Sequence, residues 1–164
     1  MQLEQTFIAL LQEHQKIIFK VSNLYMDDRE DREDLFQEIA LQAWKSFGNF
    51  KGASQFSTWL YRVAINTAIT FLKKERKRSA IATSDPITEI IDEKPNPIEE
   101  QVQAMYKAIA HLSKIDKALV MLYLEDYNYA DIAEMMGISA NNVAVKINRL
   151  KVKLKSDANK YYQP

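Results

Sequence analysis

Apolar residues recur at steps of three and four along much of this chain, the spacing that places side chains on one face of an α-helix. The first half contains three such rows: Leu3, Phe7, Leu11, Ile18, Val21 and Tyr25; Leu35, Ile39, Ala43 and Phe47; Leu60, Val63, Thr67 and Phe71. They predict helices over about residues 3–26, 34–46 and 57–78, each with its row facing the interior.

Three segments interrupt the helical pattern. The first, MDDREDRED at residues 26–34, predicts a charged turn, and the second, residues 48–57, contains Gly48, Gly52 and two serines. The third, residues 79–100, holds Pro86, Pro95 and Pro97 and has an acidic balance. It predicts an extended linker, because proline disfavours helical backbone in the residue before it.

Beyond the linker the helical pattern resumes. The next row is Ile98, Val102, Met105, Ile109 and Leu112. Ser113 with Asp116 then forms a capping signature ahead of Leu119, Leu122 and Tyr123. No strand pattern of useful length is present. The sequence predicts an all-α fold of two small helical domains, residues 1–80 and 101–164, joined by a flexible acidic linker over residues 81–100.

The last part of the chain, residues 128–154, predicts two short helices around a tight turn. Asn128 can cap the first helix, with Asp131 three residues later, and Gly137 can end it in the left-handed conformation. Ser139 can cap the second. The second helix carries an apolar row of Val143, Ile147, Leu150 and Leu154. This spacing indicates a helix-turn-helix whose second helix fits the major groove of DNA.

The opposite face of that second helix is polar and basic: Asn141, Asn142, Lys146, Asn148, Arg149, Lys153 and Lys155. Polar side chains near the start of such a helix meet base edges, and cations meet phosphates. A solvated helix whose lysines only confer solubility has the same charge pattern. The spacing of the two helices, rather than the charge, favours DNA binding.

Composition narrows the class of protein. The 164 residues include no Cys, which excludes disulfides, thiolate nucleophiles and cysteine-ligated metals. No apolar run approaches the roughly 20 residues that span a bilayer, and the first residues mix acids and glutamines into the apolar positions, unlike a signal peptide. We therefore expect a cytoplasmic protein without membrane insertion. His14 has no second ligand at a suitable spacing, so we expect a boundary histidine and no metal site or cofactor.

The formal net charge is +0, yet the charges are segregated along the chain. Basic residues cluster at 73–78 and again after residue 146, whereas acids crowd residues 27–38. Affinity for DNA depends largely on phosphate neutralisation. We expect two DNA-binding surfaces, a separate surface for a protein partner, and weak DNA affinity for the chain by itself.

Two aromatic features in the first half suggest binding surfaces. Leu41 and Trp44 lie beside Asp34, Gln37 and Glu38 on an outer edge of the second helix, which indicates either a docking surface or a tryptophan covering the edge of the core.

The second feature is a set of aromatic residues just before the basic end of the third helix: Phe50, Phe56, Trp59 and Tyr61. Aromatic faces stack on unpaired bases and cations track the backbone, so this set predicts a platform for single-stranded nucleic acid.

Two motif blocks in this order resemble those of a known family. The first block is DLFQE at 34–38 with Ala43-Trp44, and the second is FKG at 50–52 followed by FSTWLYRVAIN at 56–66. The basic run, the linker and the closing helix-turn-helix come after them. In this order the segments resemble a bacterial RNA polymerase sigma factor of the extracytoplasmic-function group. The resemblance covers nearly the whole chain. It implies a subunit that directs core polymerase to promoters, reading minus-35 duplex and melting the minus-10 element, without enzymatic activity of its own.

The resemblance also implies roles for particular residues. Those that bind the clamp helices of the polymerase largest subunit are Asp34, Leu35, Gln37, Glu38, Leu41 and Trp44. Those that bind the minus-10 element are Phe50, Phe56, Trp59, Arg62, Asn66, Lys73, Lys74, Arg76 and Lys77. Those that bind the minus-35 duplex are Ser139, Asn141, Asn142, Ala144, Val145, Lys146, Asn148, Arg149 and Lys153. Further implied partners are the polymerase flap and an anti-sigma factor, and the linker would thread toward the active-site channel.

Several positions depart from the family pattern. Asn141-Asn142 replace a frequent Gly-Thr, Lys146 replaces an arginine, and Ala144 and Val145 stand where polar or basic side chains are common. Lysine lacks the bidentate guanidinium that arginine presents to guanine, so the chain's preferred minus-35 sequence is not predicted by the resemblance. Thr70 also stands where an acid is common.

Two other classes of protein remain as alternatives. A stand-alone helix-turn-helix regulator would account for the last third of the chain and leave the aromatic and acidic features of the first half without a role. A helical adaptor would show no salt-dependent DNA binding. An enzyme is disfavoured, because the sequence has no glycine-rich phosphate loop and no clustered nucleophile and base.

Overall fold

The computed structural model describes residues 1–78 and 97–162, with side chains over 1–74 and 99–162. Those residues form seven helices and no strand: α1 Gln2–Tyr25, α2 Arg29–Phe47, α3 Phe56–Arg78, α4 Pro97–Ala110, α5 Lys114–Leu124, α6 Tyr129–Met136 and α7 Ala140–Tyr161. The all-α prediction is confirmed. None of these helices is long and apolar enough to cross a bilayer.

The chain divides into two compact units. The first contains α1, α2 and α3, and the second contains α4, α5 and α7, while α6 is divided between them at residues 132 and 133. Most of the predicted linker, residues 81–96, lies outside the described residues. Its last four residues belong to α4, because Pro97 occupies the first helical position, where the missing N–H costs nothing.

The first unit is a three-helix core in which each helix packs against the other two. Its largest fully buried side chains are Ile18, Tyr25, Leu35, Ile39, Leu60, Tyr61 and Ile65. The row predicted for α2 is confirmed, since Leu35, Ile39, Ala43 and Phe47 are all buried. The row predicted for α1 is wrong at its start, because Leu3 is exposed and Ile17 lies inside.

α2 begins earlier than the sequence analysis predicted. The segment read as a charged turn is helical from Arg29, because the Asp28 carboxylate accepts the Asp31 backbone N–H at 2.8 Å. That hydrogen bond holds the pKa of Asp28 below its ordinary value. Acids in the first turn favour the helix dipole, and Arg29 pairs with Glu33 at 3.1 Å one turn later. The charge run therefore starts a helix.

The inward faces of α3 and α4 differ from the predicted rows. On α3, Val63 and Phe71 are only half-buried, and Tyr61, which we assigned to the nucleic-acid platform, is completely buried. On α4, Val102 and Met105 are exposed, while the smaller Ala104 and Ala108 face inward. α4 packs on α7, and short side chains at its contact allow close approach of the two backbones.

The helix starts and the turn predicted for the second half are confirmed. Backbone N–H groups of the first helical turns donate to Ser113 Oγ at 3.2 Å, Asn128 Oδ1 at 2.8 Å and Ser139 Oγ at 3.1 Å. Gly137 has φ +71°, and the N–H of Ile138 donates to Ala133 O at 3.1 Å, which closes α6 with a Schellman motif. Glycine adopts this left-handed backbone at no steric cost. α7 starts two residues after that turn.

Tyr25 should make the stability of the first unit depend on pH in the alkaline range. Its ring is buried, its hydroxyl has no hydrogen-bond partner among the described residues, and burial raises its pKa from 10.0 to about 12. The folded state therefore holds the proton between pH 10 and 12 while the unfolded state releases it. This group has little effect on the free energy of unfolding below pH 10, and we expect that free energy to fall by roughly 2 kcal/mol as the pH rises to 12.

Tyr25→Phe is the matched control for this effect. It removes the titrating hydroxyl and keeps the ring, so we expect equal or slightly higher stability at pH 7, by about 1 kcal/mol, and a flatter profile above pH 10. Urea unfolding followed by circular dichroism at pH 7, 10 and 11.5 measures both proteins. Parallel pH profiles for the two would contradict the assignment to Tyr25.

Candidate nucleic-acid and polymerase interfaces

The polar face of α7 is exposed to solvent. Val143, Ile147, Leu150 and Leu154 are buried, and on the other side of the helix seven side chains are exposed: Asn141, Asn142, Val145, Lys146, Asn148, Arg149 and Lys153. Ala144 is half-buried. Ser139 is exposed at the helix start, where its hydroxyl oxygen accepts the Asn142 N–H. The cap fixes where α7 begins, and the buried row fixes which side faces outward.

An aromatic cluster joins all three helices of the first unit. Phe47 of α2 lies 5.1 Å from Phe7, 6.1 Å from Phe50 and 6.1 Å from Trp59 between ring centroids. Phe50 and Trp59 are 5.2 Å apart. Such ring pairs add roughly 0.5–1.5 kcal/mol each beyond the area that they bury. The cluster holds the segment between α2 and α3 against the core.

The rings of this cluster differ in their exposure to solvent. Phe50 and Trp59 are half-buried, so each presents an edge or face to solvent, whereas Phe56 is only 8% exposed and packs between Trp59 and the His14 ring. Phe56, predicted to contact the minus-10 strand, is therefore a core residue that supports Trp59. His14 Nδ1 lies 2.9 Å from Leu10 O, as a boundary histidine within its own helix.

The outer surface of α2 carries an exposed apolar pair. Leu41 is 46% exposed and Trp44 is 40% exposed, with the Trp44 ring resting 5.2 Å from Phe7. Asp34 and Gln37 are also exposed. Leu35, which the resemblance assigned to this surface, is completely buried and is a core residue, since it faces α1 and α3.

A groove of about 520 Å³ runs between α2 and α3. Its walls combine polar and apolar side chains: Glu38, Gln42, Ser46, Val63, Asn66, Thr67, Thr70, Phe71 and Lys74. Glu38, which the resemblance grouped with the docking residues, lines this groove beside Asn66 and Lys74 of the minus-10 set. Gln42 Nε2 donates to Glu38 Oε1 at 2.9 Å.

The cationic residues assigned to the minus-10 element are partly described. Arg62, Lys73 and Lys74 are exposed along α3. The side chains of Arg76 and Lys77 lie outside the described residues, although the backbone there continues α3 to Arg78. Of these described cations, Lys74 lines the groove together with Asn66.

The second unit contains an apolar groove that the sequence analysis missed. It measures about 260 Å³ and is lined by side chains of α4, α5 and α7: Met105, Ile109, Val120, Tyr123, Leu124, Ile147, Leu150, Lys151, Leu154 and Lys155. The Lys151 ammonium lies 4.5 Å from the centre of the Tyr123 ring, and its hydrogen bond with Tyr123 raises the pKa of Lys151. The sequence signal for this groove was the apolar row of α4, in which Val102 and Met105 are exposed and Ile109 is half-buried.

Family models match both units in order. A sigma-70 region 2 model matches residues 10–78, and a sigma-70 region 4 model matches residues 102–154. The chain belongs to the sigma-70 family of RNA polymerase sigma factors, in its extracytoplasmic-function group. The two matches coincide with the two motif blocks that carried the resemblance, which is thereby confirmed.

Individual relatives agree with this family. This sigma-70 chain is 27% identical over 161 residues to the RNA polymerase sigma-H factor of Pseudomonas aeruginosa, covering 90% of this chain and 83% of that one. It is 28% identical over 153 residues to the ECF RNA polymerase sigma factor SigG of Mycobacterium tuberculosis, covering 77% of this chain. The match spans about two fifths of SigG, 41% of its length.

The fold is also found in a solved complex. The sigma factor RpoE, crystallised with the anti-sigma factor NepR from Bartonella quintana, superposes with a TM-score of 0.70 at 17% identity, over 94% of this chain and 98% of that one. At this identity the likeness concerns the fold.

Proposed function

We propose that this chain is a dissociable initiation subunit that binds bacterial core RNA polymerase in the cytoplasm and gives it promoter choice. The observation that carries the proposal is the order of two sigma-70 regions along one chain, each with its exposed polar or basic face. Catalysis belongs to the polymerase, and this chain needs no cofactor or metal. A stand-alone regulator would have no use for the first unit.

The second unit reads the minus-35 duplex through α7. The exposed Asn142, Lys146 and Arg149 lie in the first half of the helix, from which side chains reach base edges in the major groove. Lys153, one turn later, meets a phosphate. Ala144 and Val145 offer only methyl contacts, for example to thymine. Because they replace polar groups, specificity at these positions rests on apolar contact and shape.

The first unit opens the minus-10 element. Trp59 and Phe50 stack on unpaired bases, Phe56 and Phe47 support them from the core, and Asn66 reads a base edge. Lys73 and Lys74, with Arg62, track the backbone. Unstacking a base costs a few kcal/mol, and a stacking platform with polar groups beside it returns that free energy.

The outer surface of α2 docks on the clamp helices of the largest polymerase subunit. Leu41 and Trp44 supply the apolar contact, and Asp34 and Gln37 surround it with polar groups. The apolar groove between α4, α5 and α7 takes the polymerase flap. An anti-sigma factor, by analogy with the NepR complex, binds these faces when the chain is held inactive.

Trp59 and Trp44 should have different roles in initiation. We expect Asn66→Ala with Trp59→Ala to leave core binding intact and to impair strand opening by at least tenfold, because each stacked base is worth roughly 1–3 kcal/mol. Trp44→Ala should instead weaken core binding. Permanganate footprinting of the promoter measures opening, and native gels measure assembly with core. Full permanganate reactivity in the Asn66 and Trp59 variant would overturn the assignment.

The proposal as a whole is tested with purified core polymerase from the same organism. The chain and core are mixed and challenged with promoter DNA selected from a random pool. A stable complex that initiates selectively is the expected result and supplies the promoter sequence. Duplex binding by the chain alone, with no complex with core, would make it a stand-alone regulator.

A further inference from the structure

Phe7 of α1 packs against two aromatic rings of α2. Its ring centroid lies 5.2 Å from that of Trp44 and 5.1 Å from that of Phe47, with interplanar angles of 48° and 51°. Trp44 and Phe47 are three residues apart, so they are neighbours on the surface of the helix. Phe7 is 5% exposed, whereas Trp44 is 40% exposed. Phe7 therefore covers part of the tryptophan from the core side, and the rest of the indole is open to solvent.

The two tryptophans of the chain differ in the number of rings that support them. Three rings lie 5.2, 5.4 and 6.1 Å from Trp59, and none of them is Phe7. For Trp44, the ring contact that the described residues show is the one with Phe7. The orientation of Trp44 should therefore depend on Phe7, and the orientation of Trp59 should not.

The orientation of an exposed tryptophan matters when it anchors an interface. A tryptophan side chain rotates about two torsions, and ordering a mobile side chain on binding lowers the affinity. An aromatic side chain that is already ordered in the free chain avoids this loss. Trp44 and Leu41 form the exposed apolar pair of α2, so the position of the indole determines the shape that a partner meets.

We propose that Phe7 is a positioning residue for polymerase docking, which holds Trp44 in its outward orientation without contacting the polymerase itself. The inference rests on the proposed function, in which Trp44 and Leu41 bind the clamp helices. Phe7 precedes residues 10–78, which the sigma-70 region 2 model matches. The support for the docking tryptophan therefore comes from a part of α1 that lies before the matched segment.

The test compares Phe7→Leu in two backgrounds, one with Trp44 and one with Trp44→Ala. Leucine keeps an apolar side chain in the core and removes the flat ring, so the chain should still fold. With Trp44 present, we expect core polymerase to bind about three- to tenfold more weakly, the range expected for ordering one side chain. In the Trp44→Ala background, Phe7→Leu should have no further effect on core affinity, because the residue that it positions is absent.

A second measurement follows Trp44 in the free chain. With Trp59→Phe the emission comes from Trp44 alone, and Phe7→Leu should shift it to longer wavelength and increase its quenching by acrylamide. Ile18→Val is the matched control, because it removes one buried methylene from α1 about 16 Å along the helix from Phe7. It should change neither the emission of Trp44 nor the affinity for core polymerase.

Three results would overturn the inference. The first is equal weakening of core binding by Phe7→Leu in both backgrounds, and the second is unchanged Trp44 emission in a folded Phe7→Leu chain. The third is equal weakening by Ile18→Val, which would trace the effect to stability. A wild-type chain that binds no core polymerase would instead overturn the proposed function, while the emission measurement, which needs no polymerase, still decides whether Phe7 orients Trp44.

Discussion

Replacing Arg149 and Lys153 with alanine is expected to lower the affinity of the initiation complex for promoter duplex by at least about 30-fold. Both side chains are exposed on the outer face of α7, and no described salt bridge involves either of them. A lost base or phosphate contact costs roughly 1–3 kcal/mol. Each phosphate contact also adds about 0.9 to the slope of log affinity against log salt.

The measurement is fluorescence anisotropy of labelled promoter duplex with the assembled complex at several salt concentrations. We expect weaker binding of the variant at every salt concentration and a salt dependence shallower by one to two. Lys160→Ala, which removes a cation near the end of the same helix, should leave both quantities nearly unchanged. Unchanged affinity of the double variant would remove α7 from the DNA interface.

Replacing Ile147 with alanine should cost 2–5 kcal/mol of unfolding free energy. Ile147 is 1% exposed in the middle of α7, and it belongs to the row that packs this helix into the second unit. Truncation removes buried methyl groups and leaves a cavity that small neighbouring helices fill only partly. Units of this size have total stabilities of a similar order, so the second unit should be largely unfolded at 37 °C.

Chemical unfolding followed by circular dichroism measures this loss. Val152→Ala is the control, because Val152 lies on the same helix and is 72% exposed, so its truncation should change stability by less than about 0.5 kcal/mol. DNA binding of the Ile147 variant should fail together with folding. A stable Ile147→Ala protein would mean that α7 is not held by this row.

The features that were predicted most accurately from the sequence depend on only a few neighbouring residues. The caps at Ser113, Asn128 and Ser139 and the turn at Gly137 are local in origin, since one side chain or one backbone angle decides each. The start of α2 had an equally local signal. Asp28 followed by acids, with Arg29 and Glu33 one turn apart, is typical of a helix start, although we predicted a charged turn over this segment.

The buried face of a helix was harder to predict from the sequence where it depends on the helix that packs against it. On α4 the row through Val102 and Met105 has the larger side chains, yet the row through Ala104 and Ala108 faces inward, because contact with α7 favours close approach. Glu38 posed the same difficulty, since it lies one turn from both Asp34 and Leu35. Which edge of α2 it occupies depends on where α3 packs.

The residues of the proposed sites were also predicted with unequal accuracy in the two units. Periodicity on α7 correctly identified the buried row, although Val145 and Val152 are apolar residues on its exposed side. In the first unit, Phe56 and Leu35 carry the right side chains for binding and are nevertheless buried. Motif position alone does not distinguish a residue that touches a ligand from one that supports its neighbour.

The aromatic cluster gives the molecule two built-in optical probes. The chain has two tryptophans, Trp44 and Trp59, and both lie in the first unit, half-exposed at opposite ends of the contact through Phe7 and Phe47. Intrinsic tryptophan emission therefore reports on α1–α3 and is silent about α7. Heating curves recorded by emission and by far-ultraviolet dichroism will coincide only if the two units melt together. Single-tryptophan chains will separate quenching by polymerase from quenching by DNA.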